Sequence, residues 1–466
     1  MRYCETNYRK YCNRLQFVSA QIRLIILLST FIIRIKILIQ FNTVTMKRSV
    51  SNPHLVLAGV FLSLLTTNIN SQKIAVLKVE LLKAAYGLNI PVTINLDEVT
   101  YISDTLLVLY EVKNNNRTIV PFQIESGDPR KLTWQVAAEN VPAEVHIYEL
   151  AQGKARQPDV IKATSGNGAL VIHTGDKNLL QYCFKTVYPP KGVDTAYKRS
   201  GFIHPLWAPH GQILTRIQPP DHYHHYGIWN PWTHVLYEGD TIDFWNINSR
   251  QGTVRFAKFV SVENGTVFSE FSALHEHVVF KKMRPEKVAM NELQRVRIYT
   301  PGKDQDFFIV DFNIQLNCAD ANPVKLLEYR YAGFGWRTTE KWDNKNSMVL
   351  TSEGKTRKDA DGSKARWCMV QGDIDNDYAG VVMMSFPTNY NFPEPLRIWP
   401  ENQYNRGDMF ANFCPTKDMD WLLSPGKNYF LKYRLLVYNG RVDKGKAESA
   451  WYYYAYPPRV IIHLEK

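Results

Sequence analysis

The sequence predicts an all-β protein, and three observations point to that class. Short runs of alternating polar and apolar residues recur along the chain, separated by clusters of Asn, Asp, Gly and Pro. The pattern of an amphipathic helix is rare between residues 72 and 466. Aromatic residues make up 13% of the chain, and these residues favour strands. We therefore expect a small N-terminal β-sandwich followed by a large antiparallel β-sandwich.

Residues 46–71 have the layout of a secretory signal peptide. A short basic segment, Lys47-Arg48, precedes an apolar stretch at residues 55–65, and small or polar residues follow up to Ser71. We therefore predict an exported protein, periplasmic or secreted, whose mature chain begins near Gln72.

Residues 1–45 are interpreted as a leader that results from a start placed too early, with Met46 as the true start. The alternative is a real N-terminal anchor. The apolar stretch within residues 1–45, at residues 24–33, is too short to span a bilayer core of roughly 30 Å as a helix.

The formal net charge of +12 is concentrated in this leader. Residues 1–71 hold nine of the 56 basic residues and one of the 44 acidic residues, which leaves +4 for residues 72–466. A nearly neutral mature chain argues against a nucleic-acid partner. It also lacks a run of eighteen apolar residues, so we expect no membrane association after the signal is removed.

The mature chain divides by pattern into two domains. Residues 72–155 read as short strands and predict the small β-sandwich. Residues 151–168 are polar and rich in Gly, which is typical of a linker. Residues 169–466 continue as strands and predict the large β-sandwich. The four cysteines of the mature chain form no CxxC pair, so they are compatible with up to two disulfides or with buried thiols.

The densest polar cluster is Asp221-His222-Tyr223-His224-His225. Two prolines precede it and Gly227 follows it, which predicts an extended approach and a turn at the end. On an extended backbone His222 and His224 would project to one side, and Asp221 and His225 to the other.

Three interpretations of this cluster remain open. One histidine acts as a general acid or base beside Asp221. Alternatively, His222 and His224 chelate a divalent metal ion with a third ligand from elsewhere. In the third interpretation the segment is a structural turn. A second His-x-His pair, His275 and His277, lies in a strand-like segment without further support for a metal site.

Six other residues are candidates for the same site. The arginines suit bidentate binding of sugar oxygens or a carboxylate, the indoles suit stacking on a sugar ring, and the histidine suits proton transfer. Asp243 is a candidate for substrate binding. For Arg199 the alternative is a surface ion pair, and for the 241–246 segment an ordinary strand. Arg337 follows two glycines and is better placed to reach a cleft. The six are Arg199, His204, Trp229, Asp243, Trp245 and Arg337.

At these residues the chain resembles a secreted bacterial family of unknown function labelled the PmoA family. The matching segments are His204-Pro205-Leu206, Asp221-His222-x-His224-His225-x-Gly227, Asp243-Phe244-Trp245 and Gly333-Phe334-Gly335-Trp336-Arg337. The sequence departs from the family at Phe386, where relatives carry His, and at Tyr226, where they carry Arg.

The resemblance implies a galactose-mutarotase-like large domain, and it implies exported proteins that degrade polysaccharides in Bacteroidetes-like bacteria. That fold supports sugar hydrolases, lyases and epimerases. We therefore expect a carbohydrate-processing protein that uses His/Asp acid–base chemistry. The alternatives are a glycan-binding protein without turnover and a metal-dependent oxidoreductase at His222 and His224. The expected catalytic residues are Asp221, His224, His225 and His204.

Overall fold

A computed structural model describes residues 72–154, 157–281, 285–302 and 306–465. These residues belong to one compact unit, Ser71–Lys466. The predicted leader, 1–45, and the predicted signal peptide, 46–71, lie outside the described residues.

The described residues form 28 strands. Strands β1 to β14, in chain order, are Lys73–Leu81, Asn89–Asn95, Leu107–Lys113, Asn116–Ile119, Phe122–Glu125, Lys131–Ala137, Glu144–Gln152, Ile161–Gly166, Ala169–Thr174, Lys177–Cys183, Phe202–Leu206, Ile228–Trp229, Val235–Tyr237 and Asp240–Ile242. Strands β15 to β28 are Gly252–Glu263, Phe268–Val279, Lys287–Tyr299, Phe307–Cys318, Val324–Leu326, Phe334–Arg337, Ser347–Thr351, Trp367–Ile374, Asp377–Ser385, Leu396–Ile398, Phe410–Phe413, Trp421–Leu423, Tyr429–Asn439 and Arg459–Leu464.

One α-helix and four short 3₁₀ helices complete the secondary structure of the described residues. Helix α1 is Lys444–Ala455, and the carboxylate of Asp443 caps it by accepting from the amide of Lys446. The 3₁₀ helices are Leu96–Glu98, Asp104–Leu106, Thr195–Tyr197 and Ile247–Ser249.

Two eight-stranded antiparallel sheets form the body of the fold. The central sheet has the order β15-β16-β17-β18-β27-β23-β22-β21, and the site sheet has the order β24-β25-β20-β12-β11-β10-β9-β8. The largest hydrophobic core contains buried residues from both sheets. This arrangement confirms the predicted all-β class with an antiparallel sandwich.

Strands β22, β23 and β27 of the central sheet are buried on both faces, which explains their continuous apolar runs. In β23, Val381 belongs to the core shared with the site sheet, whereas its neighbour Val382 belongs to a second core. In β27, Leu435 and Leu436 divide in the same way. Successive strand residues point to opposite faces, so a strand covered on both sides needs apolar residues at every position.

The second core joins the central sheet to the N-terminal strands and to α1. The N-terminal strands form a five-stranded sheet, β28-β1-β7-β3-β4, and a three-stranded sheet, β2-β6-β5. Trp134 of β6, Leu150 of β7 and Trp451 of α1 all belong to this core. The boundary between residues 72–155 and 169–466 stays a prediction.

Two segments differ from the sequence-based expectation. The polar stretch 151–168 contains strand β8, which pairs with β9 at the edge of the site sheet. Strand β28 comes from the segment assigned to the large sandwich, but it pairs with β1 and so extends the N-terminal sheet. Pairing of this kind covers an otherwise open sheet edge.

Among the described residues, no helix is both long and apolar enough to cross a membrane. The four cysteines of the described chain, Cys183, Cys318, Cys368 and Cys414, are free thiols.

Candidate functional site

The site sheet carries a second layer of side chains on the face that points away from the sandwich core. In β12, Ile228 faces the core and Trp229 faces outward. In β25, Ala411 faces the core and Phe410 faces outward. The outward residues form a separate aromatic cluster. The histidine segment lies against this cluster.

The segment that carries the histidines folds as two consecutive turns. The amide of His222 donates to the carbonyl oxygen of Pro219 (2.8 Å), and the amide of His225 donates to the carbonyl oxygen of His222 (3.0 Å). The extended backbone expected here is therefore wrong, and so is the predicted projection of His222 and His225 to opposite sides.

Gly227 ends the second turn and leads into β12. Its φ is +55°, and a Cβ atom at this position would lie 2.1 Å from the carbonyl oxygen of Ile203. Only glycine fits such a close approach in the left-handed region, so the predicted turn at Gly227 is confirmed.

The turns bring three imidazoles together, and we call His222, His224 and His225 the outer histidine cluster. The ring centroids lie 5.1 Å apart for His222 and His224, 4.7 Å for His222 and His225, and 4.9 Å for His224 and His225. One ring nitrogen from each histidine lies within 4.8 Å of the other two. His225 was expected on the opposite side, and it completes a set of three nitrogen donors.

A chain of charged side chains fixes one member of the cluster. The Nδ1 atom of His222 lies 2.9 Å from Oδ2 of Asp221. Nη2 of Arg337 donates to the same oxygen (3.0 Å) and to Oδ2 of Asp408 (3.0 Å). Because a carboxylate holds Nδ1, Nε2 is the nitrogen of His222 on the side away from Asp221, where the Tyr404 hydroxyl lies 3.1 Å from it.

The charges around Asp221 keep it ionised. Burial by itself would raise the pKa of the Asp221 carboxyl, but the hydrogen bond with His222 and the Arg337 charge outweigh burial and lower the pKa to about 2. Asp221 is thus a carboxylate at neutral pH.

Burial keeps two of the three imidazoles neutral. It lowers the pKa of His224 to about 3, with further lowering by the neighbouring His222 and Arg199. Burial also lowers the pKa of His225 well below its usual range. His225 is 3% exposed, and its Nδ1 atom has no hydrogen-bond partner among the described residues.

The loop at residues 399–408, which we call the roof loop, covers the outer histidine cluster. The Trp399 ring lies 5.0 Å from the ring of His222, and the Tyr404 hydroxyl lies 3.1 Å from His222 Nε2. Nη2 of Arg357 donates to the carbonyl oxygens of Pro400 (2.9 Å), Gly407 (2.9 Å) and Asp408 (3.1 Å). Arg357 is buried, although the sequence around it predicts a solvated loop.

Trp229 and Trp245 do not lie at the surface as expected for stacking on a sugar ring. They are 2% and 1% exposed, and their rings pack against each other and against His225. The two indoles form the wall behind the cluster. Tyr404 is 48% exposed and is the aromatic side chain beside His222 that reaches solvent.

The two candidate arginines are both buried. Arg337 is 1% exposed, and it stacks on Trp399 with its guanidinium carbon 4.4 Å from the ring centroid. Arg199 donates to the carbonyl oxygen of Phe244 (2.6 Å), and burial lowers its pKa to about 10. Neither is a surface ion pair, and Arg337 positions Asp221 rather than reaching into a cleft.

Asp243 also has a local role. Its Oδ1 atom accepts from the amides of Trp245 and Asn246 (2.8 Å each), and its Oδ2 atom accepts from the Asn246 side chain (2.8 Å). The carboxylate shapes the turn that seats Trp245. The assignment of Asp243 to substrate binding stays a prediction.

His204 lies apart from the outer histidine cluster. Its Nδ1 atom lies 2.8 Å from the Thr215 hydroxyl, and burial lowers its pKa to about 4. It lines a different cleft, of about 720 Å³, together with Arg216 and Glu340. None of the three outer-cluster histidines lines this cleft, and the catalytic assignment of His204 stays a prediction.

The second His-x-His pair belongs to a buried network, which we call the inner histidine cluster. The Nδ1 atom of His275 and the Nε2 atom of His277 each lie 3.1 Å from an oxygen of Glu292. The Tyr182 hydroxyl lies 2.5 Å from His275 Nε2, and Asn230 donates to Glu292 (3.0 Å). Glu292 comes from the next strand, β17, so the His-x-His spacing alone gave no sign of it.

Another open cleft, of about 970 Å³, lies elsewhere. Its lining includes the acidic residues Glu125, Asp128, Asp159, Glu263 and Glu270. None of the outer-cluster histidines lines it.

Sequence reasoning missed the residues that complete the outer site. Trp399, Tyr404 and Asp408 come from a loop more than 170 residues after the histidine segment. The one local signal is Gly407 after a polar run, which is typical of a tight loop. A tight loop does not reveal what it covers.

Comparison with known proteins gives similar solved structures and a match to a sequence family. No curated protein matches the chain in sequence. Two solved structures are similar, an alpha-mannosidase from Enterococcus faecalis V583 and a protein in the Glycosyl Hydrolase Family 38 from Enterococcus faecalis. Each is 10% identical, with TM-scores of 0.42 and 0.41 over 89% of this chain. The match covers 49% and 50% of those chains, so this chain spans about half their length.

The sequence also matches a protein family over residues 169–452, which include the whole outer histidine cluster. The family's description carries no PmoA label, so that part of the resemblance stays a prediction. The expected membership in a family of unknown function is confirmed: the chain belongs to the family described as "Family of unknown function (DUF6807)".

Proposed function

We propose that this protein is exported and processes a carbohydrate, with proton transfer at the outer histidine cluster. One observation carries the proposal: an ionised Asp221 orients the imidazole of His222 beside two further neutral imidazoles. Hydrolases, lyases and epimerases of sugars all need groups that donate or accept a proton during the reaction.

His222 is the best placed proton carrier among the three imidazoles. Its side chain is 20% exposed, whereas His225 is buried. A carboxylate on Nδ1 sets the tautomer and orientation of the ring, as in other His–Asp pairs. The acid–base role expected for His224 and His225 therefore moves to His222, and His225 becomes part of the support.

Two features of the chain support a carbohydrate substrate. Tyr404 places a half-exposed aromatic ring beside His222, with ring centroids 5.3 Å apart, and aromatic rings bind the apolar faces of sugars well. The resemblance drawn from the sequence motifs points to the same substrate class. Export rests on the signal-like pattern of residues 46–71.

A screen of the purified protein against plant and algal oligosaccharides tests the proposal. On any substrate that is turned over, His222→Gln should lower kcat by 10²- to 10⁴-fold, which is the usual contribution of a positioned acid or base. His463→Gln, at an exposed position on β28, is the matched control and should keep full activity. Turnover that survives His222→Gln unchanged would contradict the assignment.

A glycan-binding role without turnover gives a different result in the same screen. Binding would then persist in His222→Gln and would be lost in Tyr404→Ala. That outcome would move the function from the imidazoles to the aromatic ring at the entrance.

A further inference from the structure

We propose that His222, His224 and His225 together bind one divalent transition-metal ion, each through one ring nitrogen, with the remaining coordination position open to water or substrate. The inference rests on the same cluster as the proposed function, but it does not depend on the substrate being a carbohydrate.

The distances fit a metal site that closes on binding. Zinc–nitrogen bonds of about 2.0–2.1 Å in a tetrahedron place the ligand nitrogens about 3.4 Å apart. The three nitrogens already lie within 4.8 Å of one another. The histidines sit on consecutive turns within four positions, so small side-chain rotations close the set without movement of a separate element.

The hydrogen bonds that orient a histidine at a metal site are already in place. Metal-binding histidines usually donate their other ring nitrogen to a carboxylate. His222 does so to Asp221 (2.9 Å), and Arg337 anchors Asp221 in turn (3.0 Å). Arg337 also donates to Asp408. The orientation of His222 is therefore fixed by a chain of three residues, Asp221, Arg337 and Asp408.

The buried nitrogen of His225 also points to a missing partner. Its Nδ1 atom has no hydrogen-bond partner in the described part of the chain, and a buried polar atom without a partner costs about 1–3 kcal/mol. A metal ion that ligates this atom would remove this cost.

The ligand chemistry selects the class of metal. Three imidazoles suit Zn²⁺, Cu²⁺, Ni²⁺, Co²⁺ or Fe²⁺, whereas Ca²⁺ and Mg²⁺ require oxygen ligands. Three histidines with an open position are typical of catalytic rather than structural zinc sites. A metal here would lower the pKa of a bound water. His222 would then be a ligand through Nε2, and the bound water would transfer the proton in place of His222.

The test is a titration of the chelator-treated protein with Co²⁺, followed by visible absorption, and with Zn²⁺, followed by calorimetry. We expect one equivalent of each ion to bind and the Co²⁺ complex to show d–d absorption bands. Less than a tenth of an equivalent in the wild-type protein would overturn the inference, and this measurement requires no variant to fold.

Variants locate the site. His222→Gln should weaken Zn²⁺ binding at least 10-fold. Asp221→Asn should weaken it by 10- to 100-fold, because it removes the carboxylate that orients His222. His463→Gln should bind like the wild type. Unchanged affinity in both cluster variants, with unchanged circular dichroism, would place the metal elsewhere and overturn the assignment.

The result also separates this inference from the proposed function. Metal binding at the cluster without any carbohydrate turnover would leave the metal site standing and remove the proposed function. Turnover that depends on His222 in a protein that binds no metal would do the reverse.

Discussion

The outer and inner histidine clusters contain the same residue types, but their ring nitrogens are engaged differently. In the inner cluster both imidazoles bind Glu292, and His275 also meets Tyr182. In the outer cluster the imidazoles face one another, and only His222 has a carboxylate partner among the described residues. Histidines that share an internal carboxylate stabilise a fold, whereas histidines that face one another are available to a ligand.

The surroundings of the two clusters reinforce this difference. The inner cluster lies inside the sandwich with His275, His277 and Glu292 almost fully buried. The outer cluster lies on the other face of the site sheet, with His222 and Asp221 partly exposed. The comparison predicts that inner substitutions cost stability and that outer substitutions cost binding or activity.

The largest effect is expected for Glu292→Gln in the inner cluster. Removing the charge of a buried carboxylate that serves two imidazoles should lower the free energy of unfolding by about 4 kcal/mol, within the range for broken buried pairs. Chemical denaturation measures the change. The control is Glu276→Gln on β16, which affects the partly exposed ion pair between Glu276 and Arg255. It should lower the free energy of unfolding by less than about 1 kcal/mol. Equal effects of the two substitutions would remove the structural role of Glu292.

Two buried carboxyl groups should make the free energy of unfolding depend on pH in opposite directions. Burial raises the pKa of Glu394 to about 7, against hydrogen bonds from Ser385, Asn389 and Tyr433. Burial also acts to raise the pKa of Glu292, but hydrogen bonds with His275 and His277 outweigh it and lower the pKa to about 2. The stabilisation linked to Glu394 is present below pH 4.5 and is lost as the pH rises through 7. That linked to Glu292 is present above pH 4.5 and is lost as the pH falls towards 2.

The difference in unfolding free energy between wild type and Glu394→Gln isolates the pH-dependent contribution of Glu394. It should fall by up to about 3 kcal/mol between pH 4 and pH 8, because the glutamine stays neutral while the glutamate ionises. Denaturation curves at several pH values provide the measurement. A difference that is flat or that grows with pH would contradict the raised pKa.

A smaller effect is expected for Arg357→Met under the roof loop. The guanidinium binds three backbone carbonyls of residues 400–408, so its loss should cost about 2 kcal/mol of unfolding free energy. The exposed neighbour substitution Lys358→Met should cost less than about 0.5 kcal/mol. Similar values for the two, by thermal or chemical denaturation, would mean that the segment is the solvated loop predicted from its charges.

The smallest effect is expected for Tyr404→Phe. This change removes one partly exposed hydroxyl contact with His222 and should alter the unfolding free energy by less than about 0.5 kcal/mol. It should leave Zn²⁺ affinity within threefold, since the ring stays in place. A loss of metal affinity above tenfold would mean that the Tyr404 hydroxyl, rather than an imidazole, supplies a ligand.

The sequence predicted the fold class because strand alternation and turn residues are local signals. It missed helix α1, because seven of its twelve residues are buried on more than one side and leave no amphipathic pattern. It located the outer cluster from the density of histidines around Asp221. The extended geometry was wrong because a turn hydrogen bond to Pro219 is not visible in residue spacing.

Other features of the site depend on tertiary contacts. Trp229 and Trp245 are typical of a sugar platform by composition, but their burial depends on Phe410 and Trp399 from distant segments. Glu292 joins His275 and His277 through the register of β16 and β17. Such partners come from strand order and loop placement, which no single segment of the sequence encodes.

The most direct test of the central claim is anomalous diffraction from crystals soaked in Zn²⁺, with data collected on both sides of the zinc edge. The account predicts one anomalous peak between the rings of His222, His224 and His225, and none beside His275 and His277. A peak at the inner cluster, or no peak at the outer one, would contradict it.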